Sequence, residues 1–154
     1  VLNVDFAPTL LDYCSTDIPD AFQGRSFREN AAGETPEEWP EAMYYRYWMN
    51  ESDHNVAAHY GIRTKRYKLI YYYCDGCGQK GSDTGNFCVD NNDSFPKASE
   101  LSPEWELFDL ESHPCEMKNV YHEPEYADVV KELTSELHRL QKEVGDERYP
   151  EDKE

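Results

Sequence analysis

The chain has 154 residues, with 15 Lys and Arg against 32 Asp and Glu, a formal charge of −17. That is long enough for one domain with its own core, and so negative a surface repels nucleic acid and anionic lipid. No apolar run approaches the length of a membrane span. Any anion site must therefore be a local cluster of Arg, Lys or His.

Residues 1–14 read as a short strand, Val1-Leu2-Asn3-Val4, running into a helix. Asp5 is a natural N-cap, and Pro8 falls in the first turn, where its missing N–H costs nothing. Leu10, Leu11 and Tyr13 are expected to face a core that this chain does not supply, because one strand and one helix cannot bury themselves. Residues 15–42 read as a connector: Pro19, Gly24, Gly33, Pro36 and Pro40 punctuate an acidic stretch poor in apolar residues.

Residues 43–73 carry β character. One strand covers 43–49. Tyr60-Gly61-Ile62-Arg63-Thr64 and Tyr67-Lys68-Leu69-Ile70-Tyr71-Tyr72-Tyr73 form a hairpin around Lys65-Arg66. Two basic residues at a hairpin tip are expected to be solvated. Alternation places His59, Gly61 and Arg63 on one face and Tyr60, Ile62 and Thr64 on the other.

Residues 74–104 form a long polar insertion, read as a decoration held by its cysteines, with a functional lid as the other option. The five cysteines are Cys14, Cys74, Cys77, Cys88 and Cys115. Cys74 and Cys77 have the spacing of half a zinc site, but Cys88 stands without a neighbouring His or Cys. A disulfide among Cys74, Cys77 and Cys88, a zinc ion there, and free thiols in a reducing compartment all stay open.

A strand over residues 105–110 and a turn through His113-Pro114 lead to the last element. Pro124 opens a helix whose Tyr126, Val129, Val130, Leu133, Leu137, Leu140 and Val144 recur at steps of three and four, and Gly145 closes it. The predicted fold is α+β. A small antiparallel sheet with the amphipathic helix packed on one face makes a two-layer unit over 43–145. The last strand-helix edge of a larger α/β domain precedes it, and a charged tail, 146–154, follows.

Five segments, in order, resemble the C-terminal third of bacterial-type sulfatases of the alkaline-phosphatase-like superfamily. Asn3-Val4-Asp5-Phe6-Ala7-Pro8-Thr9-Leu10-Leu11-Asp12 resembles that family's D-x-x-P-T-L-L-D strand-to-helix step. Ile18-Pro19 with Gln23-Gly24-Arg25-Ser26-Phe27 resembles its connector. Tyr60 to Ile70 is similar to its R-T-x-x-Y-K-L-I hairpin, and Trp105-Glu106-Leu107-Phe108-Asp109-Leu110 to its E-L-Y-D-L strand. Pro114-Cys115-Glu116-Met117-Lys118-Asn119-Val120 resembles D-P-x-E-x-x-N-L, with His113 where the family has Asp. The stretch from His54 to Gly61 is most similar to N-acetylglucosamine-6-sulfatases and related glycan sulfatases.

The resemblance implies a sulfuric-ester hydrolase acting on sulfated carbohydrate or aryl sulfate, exported to the periplasm or secreted. It also implies a formylglycine nucleophile and a calcium ion. The family makes formylglycine from a Cys/Ser-x-Pro-x-Arg motif, which occurs nowhere in this chain. Asp90-Asn91-Asn92-Asp93 lacks the alternation of a calcium loop. Nucleophile and calcium are therefore expected outside this chain, on an N-terminal sulfatase domain that would be its partner. No catalytic residue is assigned here, and the chain alone is expected to be inactive. Its expected contribution is the pocket rim: His54, His59 and Arg63 are the candidate substrate contacts, with Arg63 alternatively bracing an interdomain contact. Tyr44, Tyr45, Tyr47 and Trp48 are read as packing, with stacking on sugar rings as the other option. Two further readings stand beside this one: a phosphodiester or phosphonate monoester hydrolase of the same superfamily, and a stand-alone acidic interaction module.

Overall fold

A computed structural model describes residues 1–47, 56–73 and 103–146. The chain divides into two units, Val1–Pro40 and Glu41–Glu154.

In the first unit, the strand expected over Val1-Leu2-Asn3-Val4 is replaced by a 3-10 turn, Asn3–Asp5, which leads directly into helix α1, Phe6–Tyr13. The cause is Asp5. Its carboxylate accepts the Leu2 N–H at 2.6 Å while its own N–H donates to the Leu2 carbonyl at 3.0 Å, and this reciprocal pair curls the chain. Asp5 therefore closes the turn behind it; no side-chain bond from it caps α1. Its second oxygen accepts the Arg25 N–H at 3.1 Å. Thr9 and Asp12 extend the same attachment: Thr9 Oγ1 accepts the Phe27 N–H at 3.0 Å, and the Ser26 hydroxyl donates to Asp12 at 2.6 Å. Gly24 is required here, because a Cβ would lie 2.0 Å from the Val4 carbonyl oxygen. A one-turn helix α2, Arg28–Ala31, follows. Phe6, Leu10 and Tyr13 remain exposed and Leu11 half-buried.

The second unit holds β1 (Met43–Tyr47), β2 (His59–Arg63), β3 (Tyr67–Tyr72), β4 (Glu104–Asp109) and α3 (Ala127–Val144). The sheet is antiparallel throughout, in the order β1-β2-β3-β4. The β2–β3 turn has neither Gly nor Asn. Thr64 substitutes for them: its N–H donates to the Tyr67 carbonyl at 2.8 Å, and its hydroxyl accepts the Tyr67 N–H at 2.9 Å. Pro124 opens a 3-10 turn, Pro124–Tyr126, ahead of α3. Gly145, at φ 71, ends the helix, and its N–H returns to the last helical turn.

Tyr60, Ile62, Leu69, Tyr71 and Leu107 from the sheet pack with Leu133 and Leu137 from α3. The helix stripe read from the sequence is thus the stripe that meets the sheet. Two polar attachments tie its ends. Beyond α3, Asp146 accepts from Tyr44 and Arg46 of β1. At the other end, Asp109, fully buried, accepts Arg66 through Nε at 3.2 Å and Nη2 at 2.9 Å, and also the Ser112 and Tyr126 hydroxyls. Arg66 is therefore no idle hairpin tip: it neutralises an inward-facing carboxylate that strand alternation forces into the core. Lys65 remains exposed.

Candidate functional site

The face of the sheet opposite α3 carries the residues that alternation turns outward. Register places Tyr47, His59, Tyr72 and Glu104 in one row, Tyr45, Gly61, Ile70 and Glu106 in the next, and Met43, Arg63, Lys68 and Phe108 in a third. His59 and Arg63 thus share this face, as the alternation requires. His54 lies outside the described residues, as do Trp48, Cys74, Cys77 and Cys88.

His59 sits among three tyrosines. Tyr47 stacks on it at 5.5 Å between centroids, Tyr45 meets it edge-on at 5.8 Å, and Tyr72 tilts against it at 5.1 Å. Its Nδ1 lies 2.8 Å from the Ala57 carbonyl oxygen. Burial pushes the imidazole below its ordinary pKa, the Ala57 bond opposes that, and the nearby Lys68 ammonium adds to it. The balance favours the neutral imidazole.

The middle row explains why a glycine stands in this strand. Tyr45 folds back across Gly61, where a Cβ would lie 2.8 Å from the phenol oxygen and 2.6 Å from the Leu69 carbonyl oxygen. The Tyr45 hydroxyl is buried and has no hydrogen-bond partner among the described residues. Burial raises its pKa, Glu116 and Glu106 raise it further, and Arg63 lowers it. Glu106 is likewise pushed up by burial, against a hydrogen bond from Tyr72. Lys68 is paired with Glu116 at 2.5 Å. Arg63, exposed at the end of β2, forms no ion pair with a carboxylate of the described residues.

The arrangement offers an imidazole, a guanidinium and a bed of phenols on the face away from α3, a set suited to polar ligands with ring faces. Tyr72 was invisible to sequence reasoning as part of this cluster; only the β2–β3 register, His59 opposite Tyr72, brings it in.

Comparison with known proteins gives this face its context. Residues 1–80 and 97–143 match the family model described as N-sulphoglucosamine sulphohydrolase, C-terminal. The chain belongs to this family. It is 37% identical, over 99% of its length, to an N-acetylglucosamine-6-O-sulfatase of Bacteroides thetaiotaomicron, and covers 23% of that protein. Its fold is similar, at a TM-score of 0.72 and 36% identity, to a protein solved in complex with its substrate D-glucosamine-2-N,6-O-disulfate; 99% of this chain aligns with 26% of that one. A phosphonate monoester hydrolase from Silicibacter pomeroyi shares the fold at a TM-score of 0.58 and 21% identity, over 90% of this chain and 24% of its own. The chain therefore spans about a quarter of the length of each of these relatives and corresponds to a sulfatase C-terminal segment.

Sulfate-ester hydrolysis needs a nucleophile, a cation to polarise the sulfuryl oxygens and a proton donor. Among the described residues no group of three or more His, Cys, Asp or Glu side chains is placed to hold a metal ion. The outer face does not fit a calcium site either: of its carboxylates among the described residues, Glu106 and Glu116 are engaged by Tyr72 and Lys68, and Glu104 alone is too few oxygen ligands. Cys14 and Cys115 are exposed free thiols. No helix of the described residues is long and apolar enough to cross a membrane.

Proposed function

We propose that this chain is part of a sulfuric-ester hydrolase for sulfated glycans, and that the outer face of its sheet forms part of the substrate-pocket rim. The observation that carries the proposal is that His59 and Arg63, the latter without an ion pair among the described residues, share the sheet face away from α3. The named activity of the 37% identical relative supports the reaction class, and the ligand named for the solved relative supports a sulfated glucosamine. Arg63 supplies the positive charge that a sulfate or carboxylate on a remote part of the glycan would meet. His54 belongs to the same rim in this reading.

The nucleophile and the calcium ion lie outside this chain, on the N-terminal sulfatase domain. The exposed Phe6, Leu10 and Tyr13 of α1 are an apolar surface of the kind such a domain would cover.

The test is a kinetic comparison in the full-length protein. His59→Ala and Arg63→Ala are expected to lower kcat/KM on a 6-sulfated glucosamine by about tenfold or more, because remote binding energy positions the reacting group. Both are expected to leave a small aryl sulfate within about twofold of the parent. Equal losses on the two substrates would place these residues in the fold or in the reacting centre. Preferential turnover of a phosphonate monoester would move the protein to the other activity found on this fold.

A further inference from the structure

His59 has one nitrogen committed. A backbone carbonyl oxygen only accepts, so at 2.8 Å from Ala57 the Nδ1 must carry the proton. Two forms then remain for the ring: the neutral imidazole, with a lone pair on Nε2, and the imidazolium, with a donor there. Tyr45 and Tyr47 from β1 and Tyr72 from β3 touch the ring, Lys68 of β3 acts on it through its charge, and beyond Tyr72 lie Glu104, in the same row, and Glu106, which Tyr72 hydrogen-bonds. No carboxylate of the described residues is among the groups that shift the titration of the ring. The stacked face of Tyr47 would favour a cation, but burial among the phenols and the neighbouring Lys68 ammonium both disfavour it. The three aromatic contacts fix the plane of the ring, and within that plane a half-turn would put a carbon against the Ala57 carbonyl and lose the Nδ1–H bond.

Resting on the reading of this face as a pocket rim, we infer that Tyr45, Tyr47 and Tyr72 are positioning residues that hold His59 as an Nδ1–H tautomer, so that Nε2 accepts a hydrogen bond from a neutral hydroxyl or amide N–H of the sugar. His59 does not contact the sulfate, whose oxygens are acceptors too. Recognition on this face is thereby divided: His59 takes a donor on the sugar ring, and Arg63 takes an anion. Gly61 is part of the device, since any side chain there would displace the Tyr45 ring that closes one side of the box.

The division is tested on full-length protein with 15N-labelled histidine, assigned by comparison with His59→Ala. The expected spectrum has His59 protonated at Nδ1 and bare at Nε2, with a titration midpoint below that of an ordinary histidine. Below that midpoint the acceptor form falls by about tenfold per pH unit. KM for the sulfated glucosamine is expected to rise with it, while KM for an aryl sulfate does not follow that midpoint. Tyr72→Ala should raise the midpoint and carry the KM rise to higher pH; Tyr72→Phe, which keeps the ring, should restore the parent profile. If Tyr72→Ala does not fold, Tyr72→Thr, a β-branched residue suited to a strand, reads the same effect. An Nε2–H tautomer, or a glycan KM profile indifferent to the His59 midpoint while His59→Ala still weakens glycan binding, overturns the inference and leaves the pocket-rim reading standing. No effect of His59→Ala on the glycan removes both.

Discussion

The two faces of the four-stranded sheet are built from the same alternating strands but solve different problems. The face under α3 is sealed by aliphatic and aromatic side chains, with Tyr60, Ile62, Leu69, Leu107 and Leu137 fully buried. Its carboxylates sit in satisfied networks, Asp109 with Arg66 and Asp146 with Tyr44 and Arg46, while the buried Gln141 amide of α3 has no hydrogen-bond partner among the described residues. The opposite face keeps a buried phenol without a hydrogen-bond partner among the described residues, a glycine in mid-strand and an imidazole held neutral. Each face thus leaves one buried polar group without a partner, but on the outer face the broken rules gather around a single histidine, and such clusters are where a ligand is often handled. This clustering is the reason we propose the outer face as the one that meets the ligand.

The largest effect that separates the faces is expected from Leu137→Ala. The side chain is fully buried between α3 and the sheet, and its truncation should destabilise the unit by about 3 kcal/mol. Chemical denaturation of the isolated chain checks this; an unchanged midpoint would mean the helix stripe is not the core.

Asp109→Ala comes next. It removes an acceptor of hydrogen bonds from Arg66, Ser112, Glu111 and Tyr126. A loss of about 2 kcal/mol is expected, the scale of hydrogen bonds to a charged group; a fully buried pair would cost more, but Arg66 is half exposed and regains water. The Arg66 guanidinium beside it holds the Asp109 carboxyl well below the ordinary carboxylate range. A depressed carboxylate contributes stability that is fully present above its unfolded pKa and is lost as pH falls through the folded one. The gap between the parent and Asp109→Ala should therefore be full at neutral pH and narrow in acid, as denaturant midpoints across pH would show.

These elements were not equally legible in the sequence. The helix over 124–144 and the β2–β3 hairpin were, because period 3.6 and period 2 run unbroken through them. The face assignment of His59 and Arg63 was legible for the same reason. The strand expected at Val1-Leu2-Asn3-Val4 failed because one reciprocal bond with Asp5 overrides the β propensity of two valines. The role of Arg66 was missed because its partner lies 43 residues away, and the one hint was an acid, Asp109, on the inward phase of an apolar strand. The box around His59 needed strand register, which alternation alone does not fix.

Gly61→Ala sharpens the comparison from the other side. The new methyl would crowd a backbone carbonyl at 2.6 Å and the Tyr45 phenol at 2.8 Å, and overpacking of this kind costs about 1–2 kcal/mol. The Tyr45 share of that clash disappears in Gly61→Ala with Tyr45→Ala, so the double variant should lose less than the sum of the singles. Strict additivity would show that the ring does not lie over the glycine.

Arg63→Ala should have the smallest effect on stability and the most to say about function. The side chain is exposed at a strand end and makes no ion pair among the described residues, so its removal should move the unfolding free energy by no more than about 0.5 kcal/mol. A residue that braced an interdomain contact through a carboxylate would behave otherwise in the full-length protein: its loss would lower the midpoint there and not in the isolated chain. The paired measurement therefore decides between the two roles that this arginine could have. Equal, small shifts in both forms, together with weakened binding of the sulfated glucosamine that increases in parallel with the number of anionic groups on the ligand, assign the guanidinium to ligand charge. A midpoint lowered only in the full-length protein assigns it to the contact with the rest of the enzyme, and leaves His59 and its tyrosines as the part of this face that meets the glycan.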